Sequence, residues 1–224
     1  MFTRLVVALA AVAAAHAQIS VEVAPNDIDD IERRYTRELL FEYNSAREDA
    51  LLLFTEFTSI SGADLRMFIK NITALTNETI DGMNRDSLDD APQVCRSDFE
   101  KKLKKIEFDA HRFASFSAET HHKFFLGHMI VFKMHLNKTE DYLKKCEKVT
   151  EVCGSACETT SRIVRWRRLA KQEIARVRDD LRHSKLSYQD LLVHYRRRLN
   201  HLRKQATSRA QEAVDDLQIC RQNR

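Results

Sequence analysis

Turn-forming residues are nearly missing from this sequence: its 224 residues hold four glycines and two prolines. Average usage is about 7% for glycine and about 5% for proline. A sheet protein needs such residues at a turn roughly every 8 to 12 positions, so an architecture of many hairpins is excluded. The motifs that carry common enzyme chemistry are missing too. There is no glycine-rich phosphate loop, no nucleophile elbow and no HExxH zinc motif. A membrane span is not expected either, because the longest apolar run, Leu5 to Ala15, falls well short of the roughly twenty residues that a spanning helix needs. These absences point away from an enzyme and imply no cofactor and no metal.

What is present begins with a leader. Arg4 precedes the short apolar run, and Ala15-His16-Ala17 supplies a small-x-small cleavage site, the pattern of a secretory signal peptide over residues 1–17, cut between Ala17 and Gln18. The expected location is secreted and extracellular. Three Asn-x-Thr sequons follow at Asn71, Asn77 and Asn137, each a candidate glycan acceptor in a secreted chain.

Apolar periodicity then predicts an all-α fold, an elongated antiparallel helical bundle or coiled-coil hairpin with disulfides. After a short segment at 18–25, one helical domain is expected over 26–221. Its helices are read as about 26–60, 63–83, 93–152 and 158–221. The last two carry candidate breaks near 117–120, a polar interval, and 184–187, where Ser187-Tyr188-Gln189-Asp190 resembles a capping box. Steps of three and four through Leu39, Tyr43, Ala46, Ala50, Leu53 and Phe57, and again from Ile163 to Cys220, mark one apolar stripe per helix. At about 100° per residue, all three sequon asparagines fall well away from these stripes.

Charge is bipolar. Val21–Pro92 holds 16 acidic against 7 basic residues, and Glu158–Lys204 holds 14 basic against 5 acidic. The first reading is intramolecular complementarity between the two stretches; an anionic surface or lipid is the second, prompted by Arg196-Arg197-Arg198. Secretion argues against nucleic acid.

The five cysteines sharpen the topology. With Gly154-Ser155 as a helix-to-helix turn, Cys95 lies 62 residues before Cys157 and Cys220 lies 63 after it. An antiparallel hairpin therefore brings Cys95 and Cys220 level, and an oxidising compartment joins them. Among Cys146, Cys153 and Cys157, which share a seam-facing stripe if helical, one further bond is expected. Spacing does not decide which pair forms. The left-over thiol is read as buried rather than as an intermolecular bridge.

Two further patterns are weighed. His121, His128 and His135 recur every seven residues, about 10 Å apart on a helix, too far for one metal; His194 is expected across the hairpin from His121. Phe113, Phe116, Phe124, Phe125 and Phe132 read first as helix core and second as the lining of an apolar cavity. Function is accordingly read as a secreted glycoprotein acting by non-enzymatic binding or structural interaction, with a protein partner or self-association. An extracellular carrier of lipid or another small apolar ligand is the alternative, against which a disulfide across the hairpin's open end argues.

The combination of a leader, a mostly helical mature chain, sequons in the first half and Cys146-x6-Cys153-x3-Cys157 with a final Cys220 resembles the insect secreted TsetseEP-like family. The resemblance runs from about Phe41 to Cys220 and implies a midgut or secretory-tissue protein without established enzymatic activity. The long Glu-Pro tail of the family's name-giving member is absent, and no functional residue carries over.

Overall fold

A computed structural model describes residues 30–85, 91–157 and 159–223. The leader, its cleavage site and segment 18–25 lie outside the described residues. The chain forms three long helices, α1 (Asp30–Arg85), α2 (Gln93–Cys153) and α3 (Ser161–Gln222), with a short 3-10 turn at Gly154–Cys157 between the last two. No strand occurs among the described residues. At 1.5 Å per residue each of α2 and α3 is about 90 Å long, so this all-α bundle is a rod.

Register is visible in the cross-helix contacts. Tyr43 donates to Glu140 at 3.4 Å, Phe57 stacks on Phe125 at 4.4 Å and Thr73 donates to Glu107 at 2.6 Å, so α1 and α2 run antiparallel. Arg167 reaches Thr36, Tyr188 reaches Glu56 and Arg196 reaches Asp64, with separations of 131, 132 and 132 residues, so α1 and α3 run parallel at a constant offset. The acidic first helix thus lies along the basic third one. Arg178 meets Glu42 at 3.4 Å and Arg196 meets Asp64 at 2.7 Å; the bipolar charge is met in part within the molecule.

The seam residues fill the axis as three successive cores. One surrounds Ile72, Phe99, Leu103 and Tyr195, the next Phe57, Phe125, Phe132 and Val177, and the smallest Leu39, Tyr43, Leu143 and Ile174. At the first of these, α3 presents Ala206, Ala210 and Ala213, all buried. Small side chains let α3 approach α2 closely there, and Cys95 and Cys220 are disulfide-bonded with Cα atoms 6.1 Å apart.

Several boundaries differ from those read in the sequence. The two expected helices at 26–60 and 63–83 are one element, of which 26–29 lie outside the described residues. Gly62 does not interrupt it: a lone helical glycine costs about 1 kcal/mol relative to alanine, less than the burial of Phe57 and Phe68 on its two sides returns. Nor do α2 and α3 break at 117–120 or 184–187. Neither stretch holds glycine or proline, and their polar groups are absorbed: Thr120 donates to the Phe116 carbonyl, His121 Nδ1–H to the Ser117 carbonyl, and Ser184 is buried in the seam. Helix α2 does end at Cys153, because Gly154 adopts φ 63°, which an L side chain rarely tolerates. α3 then begins at Ser161 rather than 158, after Thr160 turns its amide and hydroxyl onto the Cys157 carbonyl.

Candidate interaction surface

The cysteines, sequon asparagines, histidines and phenylalanines are distributed along the rod. The cysteines lie at its two ends. Cys95–Cys220 joins α2 to α3 across 125 residues, and Cys153–Cys157 closes a separation of 4 at the turn. Cys146 belongs to neither bond and is buried. The expectation that Cys146, Cys153 and Cys157 share one seam-facing stripe is corrected: the helix stops at Cys153, which is exposed, so Cys157 never takes the i+11 position. The sequon asparagines Asn71, Asn77 and Asn137 are all exposed, on α1 and α2.

The histidines do not converge, and no metal-holding cluster of His, Cys, Asp and Glu occurs among the described residues. His121 packs its ring 5.3 Å from that of Tyr195, and His128 meets Phe124 edge-on at 5.5 Å. His194 lies beside Tyr195 in α3, where it is exposed. His135 has the most consequential setting. Its Nδ1 is 2.6 Å from Glu173 Oε2 and its Nε2 is 3.8 Å from Asp180 Oδ2, while Arg176 donates to the other Glu173 oxygen at 2.6 Å. Glu173 is buried. This polar station between α2 and α3 is a register lock, since sliding either helix by a turn strands a buried carboxylate. Glu173 escaped the sequence reading, although its position three after Ala170 and four before Val177 places it in the seam.

The phenylalanines split. Phe125 and Phe132 are fully buried, and Phe125 stacks on Phe57 with Tyr188 at 6.4 Å. Phe113, Phe116 and Phe124 are exposed. The five therefore do not line one cavity, and Phe113, expected in the seam, sits outside it. The outward three belong to a separate apolar stripe that continues through Val131 and Met134. At its Phe113 end the stripe meets an open groove lined by Leu202, Ala206 and Arg209 of α3.

Electrostatics at the core are set by burial. The Tyr195 hydroxyl is buried with no hydrogen-bond partner. Desolvation, with the Asp64 charge second, pushes its pKa up to about 12. Burial likewise raises Tyr43 and Tyr188, each beside a carboxylate that accepts a hydrogen bond from its hydroxyl. The Tyr43–Glu140 and Tyr188–Glu56 hydrogen bonds tie α1 to α2 and α3.

No helix among the described residues is long and apolar enough to cross a membrane. No family model, curated protein or solved structure matches the chain. The geometry defines a class, a disulfide-stapled three-helix rod.

Proposed function

We propose that the protein is a secreted glycoprotein that works by non-enzymatic interaction, a rigid helical spacer presenting an apolar face to a protein partner. The observation that carries this reading is the division of the phenylalanines of α2: Phe99, Phe125 and Phe132 face inward and fill the axis, whereas Phe113, Phe116 and Phe124 face outward and share one exposed stripe with Val131 and Met134. The leader, the exposed sequons and the two disulfides support an extracellular setting. The resemblance of the cysteine placement to that of TsetseEP-like proteins supports a role in insect gut or secretory tissue.

One observation favours the carrier reading. The Cys95–Cys220 bond ties α2 to α3 and leaves α1 untied, so the objection that the staple blocks opening applies to the hairpin and not to α1. Native mass spectrometry of the secreted protein separates the two. The interaction reading expects the mass of the chain plus glycans, or a whole multiple of it, without lipid; stoichiometric co-purifying lipid overturns it.

A further inference from the structure

The exposed stripe of α2 has a pattern that selects its occupant. Phe113, Phe116, Phe124, Val131 and Met134 fall within an arc of about 80° at 100° per residue, on a face roughly 100° from the helix's buried seam. Thr120 and Gly127 lie in the same arc. The spacing is close to palindromic about the midpoint between Lys123 and Phe124. Turned end for end about that point, Phe113 stands opposite Met134, Phe116 opposite Val131, and Thr120 opposite Gly127. Two pairs of large apolar residues meet, the two small positions meet each other, and Phe124 stands opposite Lys123 at the centre. A two-fold interface requires this self-complementarity, since each patch must fit its own copy reversed.

Gly127 is an independent observation. It sits inside α2, is exposed, and a Cβ placed there meets nothing within 4 Å. A helix-interior glycine is destabilising relative to alanine, and no neighbour within the chain accounts for it. Close approach of a second helix does, and the reversed pairing sets Gly127 against another small position.

Area and charge agree. At about 200 Å² for a fully exposed large apolar side chain, the exposures of Phe113 (42%), Phe116 (68%), Phe124 (60%), Val131 (40%) and Met134 (46%) amount to about 500 Å² per copy. Two copies reach about 1,000 Å², the range of weak, reversible contacts below the standard interface of roughly 1,200 Å². Lys123, nearest the two-fold point, is paired with Glu119 at 2.7 Å on the same rim. In the reversed pairing Lys123 stands opposite the other copy's Phe124, with its charge already met by Glu119 of its own helix. Asn137 lies past the end of the stripe and about 100° from its centre, so a glycan there borders the contact.

We infer that this stripe binds a second copy of the chain, forming a reversible two-fold dimer through antiparallel α2 helices. The inference rests on the interaction reading above and names its partner. Sedimentation velocity of the intact, disulfide-bonded secreted protein, from about 1 to about 100 μM, tests it. A dimer that grows across this range is expected, and Phe116→Lys or Val131→Asp alone weakens it about 30-fold or more. Both positions are exposed, so the circular dichroism and melting of these variants match the parent. The double variant F116K/V131D recovers association to within about tenfold of the parent, because each introduced lysine faces an introduced aspartate of the other copy.

A monomer throughout, an unaffected F116K variant, or a double variant as weak as the singles overturns the proposal. Phosphatidylcholine vesicles distinguish the ways of failing. A monomer that sediments with vesicles, and ceases to in F116K, overturns the dimer and the interaction reading together. A monomer that ignores vesicles overturns the dimer alone.

Discussion

Helix α1 and the α2–α3 hairpin contribute to the same cores, yet they are held by different means. The hairpin is a closed ring: its turn joins the helices at one end and Cys95–Cys220 joins them at the other. α1 contains no cysteine, so it stays by packing, by hydrogen bonds such as Thr73 to Glu107, and by ion pairs with α3. The difference teaches that long-loop cross-links and burial are separable supports. The disulfide restricts the unfolded hairpin, whereas nothing comparable restricts unfolded α1. α1 is therefore the element with the lower opening free energy.

The largest expected effect removes the covalent advantage. Cys95→Ser with Cys220→Ser should cost about 4–5 kcal/mol in the chain-entropy account of a loop this long, read by denaturant unfolding, and should bring the hairpin down to the level of α1. Phe57→Ala widens the contrast instead. It removes a ring that is 1% exposed and should cost about 3–4 kcal/mol, with protease cutting appearing in α1 before α2 or α3.

Raising the pH loads the hairpin side. The folded chain holds the Tyr195 proton more tightly than the unfolded chain does, so that stability is complete below pH 10.0 and declines as pH rises toward about 12. The loss should reach about 2–3 kcal/mol, and Tyr195→Phe should abolish its Tyr195 share at little cost at neutral pH, because the hydroxyl makes no hydrogen bond. Cys153→Ser with Cys157→Ser opens a loop with a separation of only 4 and should cost no more than about 2 kcal/mol. Smallest of all, Asp64→Asn breaks a surface pair with Arg196 and should change stability by less than about 1 kcal/mol, falling further in salt.

Most of this architecture was legible because helices announce themselves by period. Ile163, Ala170, Ile174 and Val177 give the seam of α3 directly, and the near-equal spacing of Cys95 and Cys220 about the turn gives the hairpin. Gly62 misled because a glycine's local cost is readable while the tertiary burial that outweighs it is not. Glu173 was hidden because a carboxylate in a basic helix reads as surface until His135 is placed opposite it. The outward stripe was obscured for a related reason: Phe113, three residues after Ala110, continues the three-four steps of the seam, and only the packing of all three helices shows which aromatic rings the core has room for.

Hydrogen exchange resolved by segment, on the oxidised protein and after reduction, addresses the difference between α1 and the hairpin most directly. With the disulfides intact, amides of α1 around Phe57 to Ile72 should exchange through lower-energy openings than their α2 partners around Phe99 to Phe125. Reduction should narrow that gap by destabilising the hairpin more than α1. Exchange of α1 and the hairpin at one common rate in both states would contradict the account.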